Sequence, residues 1–89
     1  MATAYYVYIL RSEEAGGRFY SGLTHDVPAR LKEHNSGKSK FTSGFVPWRL
    51  IHFESFETRV AARNREKYFK TGAGRRKMIK LLEQDNPLA

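Results

Sequence analysis

Ala4-Tyr5-Tyr6-Val7-Tyr8-Ile9-Leu10 is the stretch on which the fold turns. It is aromatic and β-branched, and its apolar side chains fall on both faces at a period of two, the pattern of a strand covered on both sides. Such a strand belongs at the centre of a sheet. Residues 13–17 (EEAGG) are turn chemistry, because paired glycines accept positive φ, and residues 18–23 (RFYSGL) resume an extended pattern, so a β-hairpin is predicted. Asp26 can cap a following helix, Pro28 is tolerated in its first turn, and Gly37 stands where it would stop, which predicts a helix over 27–36. Residues 37–44 (GKSKFTSG) lack periodicity and read as a mobile basic loop near an anion. Residues 48–54 (WRLIHFE) alternate again after Pro47 and suit a third strand. A helical pattern runs over 58–70. Gly72 and Gly74 break it before a last amphipathic helix whose apolar side is Met78, Ile79, Leu81 and Leu82. The order β-β-α-β-α-α describes an α+β fold, a three-stranded, mostly antiparallel sheet flanked by helices. Residues 4–84 are expected to form one domain and residues 85–89 a frayed C-terminal tail.

Composition narrows the function. The 89 residues suffice for one core, and 40% hydrophobic against 28% charged residues is the balance of an ordinary globule. The apolar run 4–10 is far short of the ~20 residues that span a bilayer, and no export signal is visible, so no membrane partner is expected. With no cysteine there is no disulfide-linked partner and no thiolate zinc site, which fits a cytoplasmic protein. Sixteen Lys and Arg against nine Asp and Glu give a charge of +7 and make a polyanion the first partner to consider. Nine of those cations lie between Thr58 and Lys80 beside one acid, Glu66. Each alone reads as a solvated helical face; as a set they resemble a phosphate-binding surface.

The residues able to carry chemistry are few. Ala62, Glu66 and Phe69 fall at i, i+4 and i+7, so the carboxylate lies along an apolar stripe. It reads either as an i,i+4 partner of Lys70 or as a Mg²⁺ ligand, since that ion commonly takes one or two protein carboxylates. Arg30 and His34 share one face of the first helix, and spacing alone makes them solvent-facing, with Val27 and Leu31 on the core side. Alternatively Arg30 clamps a scissile phosphate and His34 moves a proton or holds a phosphate oxygen. Tyr5 and Tyr6 read as strand formers and core fillers. Tyr8 and Tyr20, on neighbouring strands, are expected to point both hydroxyls into one pocket, with Gly22 letting a phosphate backbone approach the sheet.

In order and spacing these residues resemble the GIY-YIG nucleases, most closely the small single-domain bacterial (URI domain) members. Tyr6-Val7-Tyr8 stands for the first half-motif and Tyr20-Ser21-Gly22 for the second, with eleven residues (9–19) between them. Arg30 follows Gly22 by eight positions, and Arg30-Leu31, His34-Asn35, Lys40-Phe41-Thr42, Pro47-Trp48 and Ala62 with Glu66 extend the similarity over residues 4–82. The chain departs from the pattern at Tyr6 (glycine in the family), Ser21 (isoleucine) and Leu23 (a lysine in DNA-repair members), and in lacking an asparagine at the usual interval after Glu66.

The resemblance implies a hydrolase: a metal-dependent endonuclease that cleaves phosphodiester bonds in DNA, with RNA as a second candidate, at low intrinsic sequence specificity. It implies one divalent cation, Mg²⁺ or Mn²⁺, on Glu66, charge stabilisation by Arg30, and Tyr8, Tyr20 or His34 as the general base. Phenol acidity would be enhanced by the cation and by Arg30. Gly22, Lys40, Arg63, Lys67, Lys70, Arg75, Arg76 and Lys77 are the expected nucleic-acid contacts. Such backbone contacts carry no base information. The competing reading is a catalytically inactive module binding DNA or structured RNA, with Phe41 or Trp48 stacking on bases. The nuclease reading requires Glu66 and Arg30 to reach one concave spot.

Overall fold

Residues 4–14, 17–38 and 40–85 are described by a computed structural model, in which β1 (Tyr5–Ser12) runs between two antiparallel neighbours. The sheet order is β2-β1-β3, with β2 at Phe19–Thr24 and β3 at Trp48–Phe56. The helices are α1 (Val27–Asn35), α2 (Arg59–Tyr68) and α3 (Gly72–Asp85), with a short 3₁₀ turn at Ser43–Phe45. The α+β class and the order β-β-α-β-α-α are as the sequence predicts.

Alternation along β1 divides the core in two. Val7 and Ile9 point to one face, where Ile51, Ala62, Phe69, Met78 and Leu81 cover them from β3, α2 and α3. Tyr8 and Leu10 point to the other, against Val27 of α1 and Trp48. Each large apolar side chain so covered stabilises the fold by about 1.5–3 kcal/mol relative to exposure. A shift of register between Ile9 and Leu10 passes over Ile51 in β3, an extra residue that turns the strand. Beyond it, Glu54 accepts from Arg65 Nε at 2.8 Å and Arg65 Nη2 at 3.2 Å, tying β3 to α2. Burial alone would raise the Glu54 carboxyl pKa, but hydrogen bonds from Arg65 and His52 outweigh it and hold the group low.

Local chemistry sets the element ends. Asp26 caps α1 by accepting from the Ala29 N–H at 3.1 Å, and Thr58 caps α2 by accepting from Ala61 at 3.2 Å. The hairpin closes through the Ser12 N–H on the Arg18 carbonyl at 2.8 Å, and Gly17 has φ +30°. Residues 15 and 16 of the expected turn and 86–89 of the expected tail lie outside the described residues. Among the described residues, no helix is long and apolar enough to cross a membrane.

Several expectations are corrected. Both β1 and β3 run two residues further than predicted: Arg11 and Ser12 still pair with Arg49 and Trp48, and Ser55 and Phe56 pair with Tyr6 and Tyr5. Gly72 and Gly74 do not separate α2 from α3; they form the first turn of α3, where the Thr71 hydroxyl accepts from the Gly74 N–H at 3.1 Å. Ile79 is 49% exposed, so the buried side of α3 is Met78 and Leu81 with Leu82 partly covered. The loop 37–44 is not uniformly solvated, since Thr42 is buried within it.

Gly74 is required by packing rather than by backbone angle. A Cβ there would overlap the Tyr68 carbonyl oxygen and lie 2.5 Å from Phe69 Cα, where α3 meets the end of α2. Gly74→Ala is expected to lower unfolding stability by about 3 kcal/mol, read from the urea midpoint. A variant as stable as the parent would show that α3 docks less closely than this.

Candidate active site

Tyr8 and Gly22 face each other across the β1–β2 ladder. A Cβ on Gly22 would lie 2.5 Å from the Tyr8 hydroxyl and 2.6 Å from its Cζ, so the space left by the missing side chain holds the phenol. This corrects the expectation for Gly22. The glycine is buried and admits a tyrosine of the same chain, not a phosphate backbone.

Arg30 and His34 stand one turn apart on α1 and both reach this phenol. Arg30 Nε donates to the Tyr8 hydroxyl at 3.3 Å, and its Nη1 donates to Glu33 Oε2 at 2.6 Å. His34 Nε2 lies 2.9 Å from the Tyr8 hydroxyl, and its Nδ1 lies 2.9 Å from Thr42 Oγ1. The expected solvent exposure of this face holds for Arg30, which is half-buried, and fails for His34, which is 0% exposed. The reason is the loop after α1: it folds back so that Thr42, 1% exposed, covers the ring. The Trp48 indole N–H donates to the Thr42 carbonyl at 2.9 Å, while Asn35 accepts from the Trp48 N–H at 2.6 Å and donates to its carbonyl at 3.0 Å. Tyr20 completes the cluster, its ring centroid 4.7 Å from that of His34 and 6.1 Å from that of Tyr8.

Burial dominates the electrostatics. Tyr8 is 1% exposed, and its pKa is pushed up to about 12 by burial, against the lowering effect of the Arg30 hydrogen bond and charge. Arg30 thus acts on the Tyr8 phenol in the expected direction, toward greater acidity, but burial outweighs it. Arg30 is held more firmly charged by its hydrogen bonds to Tyr8 and Glu33. Burial first and the Arg30 charge second lower the His34 pKa, so the ring is neutral at pH 7.

Glu66 occupies the opposite layer. Its helix packs through Ala62 and Phe69 on the face of Val7 and Ile9, whereas α1 packs on the face of Tyr8. The Glu66 side chain is 14% exposed and accepts from Lys70 Nζ at 3.2 Å. The structure thus brings Tyr8, Tyr20, Arg30 and His34 together and leaves Glu66 across the sheet. Along β2, an edge strand, lies an open groove lined by Tyr20 and Ser21 of the strand and by Phe69, Lys70 and Arg75. Arg18, unremarked in the sequence, also lines it. Of the other basic residues singled out, Lys40, Arg63, Lys67 and Arg76 are exposed and Lys77 is half-buried, all outside this groove. Among the described residues, no three His, Cys, Asp or Glu side chains cluster to hold a metal ion. Thr42 is the contact that sequence reasoning missed. Its only signal was membership of the Lys40-Phe41-Thr42 run, which has no periodicity to show that one of the three points inward.

The family described as the GIY-YIG catalytic domain matches residues 4–78. A UPF0213 protein of Haloquadratum walsbyi is 44% identical over 68 residues, 75% of this chain and 74% of that one. One of Lacticaseibacillus paracasei is 41% identical over 81 residues, 89% of each. The solution NMR structure of the UPF0213 protein BH0048 from Bacillus halodurans is similar at a TM-score of 0.53 and 34% identity, over 88% of this chain and 84% of that chain.

The neutral, buried His34 has a measurable consequence. Its folded pKa lies below the ordinary value of about 6.5, so the unfolded chain takes up a proton first as pH falls. The stability linked to this group is whole above about pH 6.5 and is lost as pH drops through the folded pKa. His34→Gln is expected to flatten that acid-side decline in denaturant midpoint relative to the parent, whatever its stability at neutral pH. Parallel declines in the two proteins would place the proton uptake elsewhere.

Proposed function

The chain belongs to the GIY-YIG catalytic-domain family, a family of nucleases, and from that premise we propose that it is a metal-dependent endonuclease acting on DNA, with RNA as a second candidate substrate. The observation that carries the reading is the convergence of Arg30, Tyr8, Tyr20 and His34 on one pocket through contacts of 2.9–3.3 Å and adjoining rings. A guanidinium beside phenols, one of which lines a groove, is the arrangement that phosphoryl chemistry needs: a fixed cation for an anion whose charge grows in the transition state, and a proton acceptor next to it.

Three groups were candidates for that acceptor, and access separates them. Tyr8 and His34 are sealed from solvent, whereas Tyr20 is half-buried and lines the groove. Tyr20 is therefore the group that takes the proton of an attacking water, and Tyr8 and His34 hold it and Arg30 in place. Arg30, half-exposed, meets the phosphate with the guanidinium edge not committed to Tyr8 and Glu33.

Glu66 is the residue that would hold the divalent cation. Its carboxylate is a hard oxygen donor, 14% exposed and paired with Lys70. One such ligand suits Mg²⁺ or Mn²⁺, which when bound would neutralise charge on the phosphate and fill its other positions with water and phosphate oxygens. Support for a shared substrate comes from the groove: Tyr20 and Lys70, the partner of Glu66, both line it, so a strand lying along the free edge of β2 touches both layers. Lys70, Arg75 and Arg18 would grip its backbone there, and Lys40, Arg63, Lys67, Arg76 and Lys77 the flanking phosphates. Contacts of this kind read no bases, which implies low sequence specificity.

The second reading, a nucleic-acid-binding module without catalysis, is favoured by the placement of Glu66 and Arg30 on helices that pack against opposite faces of β1. Conversion of supercoiled plasmid in Mg²⁺, Mn²⁺ or EDTA decides between them. Metal-dependent nicking is expected, slowed by about a hundredfold or more in Arg30→Ala, Glu66→Ala and Tyr20→Phe, with DNA affinity changed only a few-fold. Wild-type rates in Arg30→Ala and Glu66→Ala would end the proposal, and tight, salt-sensitive binding without product would select the binding module.

A further inference from the structure

The hydrogen bonds that hold Tyr8 continue past His34 into the loop after α1, and their direction is fixed at one end. The guanidinium of Arg30 can only donate, so at 3.3 Å the Tyr8 oxygen accepts from it. The Tyr8 hydroxyl proton then needs an acceptor of its own; Tyr20 is a second side-chain partner of this hydroxyl, and His34 Nε2, fully buried and 2.9 Å away, is the one that leads on to Thr42. A neutral imidazole carries one N–H. If Nε2 accepts, the proton resides on Nδ1, and the atom that Nδ1 meets is Thr42 Oγ1 at 2.9 Å. Tyr8, His34 and Thr42 are all sealed from bulk water, which leaves little competition for these bonds.

We propose that Thr42 is a positioning residue of the cluster: it holds His34 as the Nδ1–H tautomer, keeping Nε2 aimed at the Tyr8 hydroxyl and so keeping the Tyr8 oxygen turned to Arg30. This rests on the nuclease reading for its functional meaning, but the tautomer itself is a property of the resting protein. Thr42 is suited to the task because it is itself clamped. Its carbonyl accepts the Trp48 indole N–H, and the Trp48 backbone is held at both its N–H and its carbonyl by Asn35, the residue next to His34. The loop is thereby tied to α1 at two successive residues, and the exposed Phe41, 86% accessible, is carried beside the anchor.

The test uses the full chain labelled with ¹⁵N-histidine and long-range ¹H–¹⁵N correlation spectra, with the His34 signals assigned by their loss in His34→Gln. The wild-type protein is expected to show His34 protonated at Nδ1 and bare at Nε2. Thr42→Val, which keeps the shape and removes the oxygen, is expected to lose that single tautomer and to cleave about tenfold more slowly; Thr42→Ser is expected to restore both. An Nε2–H tautomer in the wild type overturns the proposal, as does Thr42→Val retaining both the wild-type tautomer and the wild-type rate. If Thr42→Val does not fold, the wild-type spectrum and Thr42→Ser still decide. A protein that cuts nothing yet shows the expected tautomer refutes the nuclease reading and leaves the positioning role intact.

Discussion

A strand covered on both faces has no wet side on which to leave a polar group, and β1 nonetheless carries Tyr8 at its middle, 1% exposed. A buried phenol without partners costs roughly 1–3 kcal/mol, so the hydroxyl has to be met inside the protein. Arg30 and His34 meet it. That single demand orders much of the rest: α1 must present its Arg30–His34 face to the sheet, Gly22 must lack a side chain so that the ring fits, and the loop after α1 must close over His34 with another polar group, Thr42. No buried side-chain nitrogen or oxygen is left without a partner among the described residues.

The same strand divides the domain into two layers that do not communicate through the core. Val7 and Ile9 serve α2 and α3, while Tyr8 and Leu10 serve α1 and the Trp48 loop. Groups on opposite layers can act on one ligand only at an edge of the sheet. The β2 edge is where the groove lies, between the strand carrying Tyr20 and the helical turn carrying Lys70. In a protein without disulfides, these layers are held by packing and by a few polar ties, the Arg65–Glu54 pair on one side and the Asn35–Trp48–Thr42 chain on the other.

Burial also decides which groups can exchange protons with a substrate. The cluster's most connected members, Tyr8 and His34, are those farthest from solvent. Their pKa values move in the directions that keep both neutral near pH 7, upward for the phenol and downward for the imidazole. Neutral groups in fixed hydrogen bonds position their neighbours well, whereas a group that meets solvent must be reachable, and of Tyr8, His34 and Tyr20 only Tyr20 is not fully buried. Charge, by contrast, is kept at the surface and the groove, where Arg30, Lys70 and Arg75 remain hydrated.

Local pattern in the sequence determined the elements. The two-faced alternation of residues 4–10 made β1 central, Asp26 and Thr58 marked helix starts, and the order of elements required an α+β sheet with helices. The residues of the pocket were legible from their order and spacing, through the likeness to the GIY-YIG nucleases. Tertiary structure alone decided who faces whom. Helical spacing put Arg30 and His34 on one face but could not say whether that face was wet, because the answer depends on a loop with no periodicity closing through Thr42. It put Glu66 on an apolar stripe without saying which side of the sheet that stripe covers. The glycines misled for the same reason: Gly72 and Gly74 are weak helix formers, yet Gly74 is needed where α3 abuts α2, and Gly22 leaves room for Tyr8. Periodicity records which residues of one element point together, and only packing between distant elements determines what they point at.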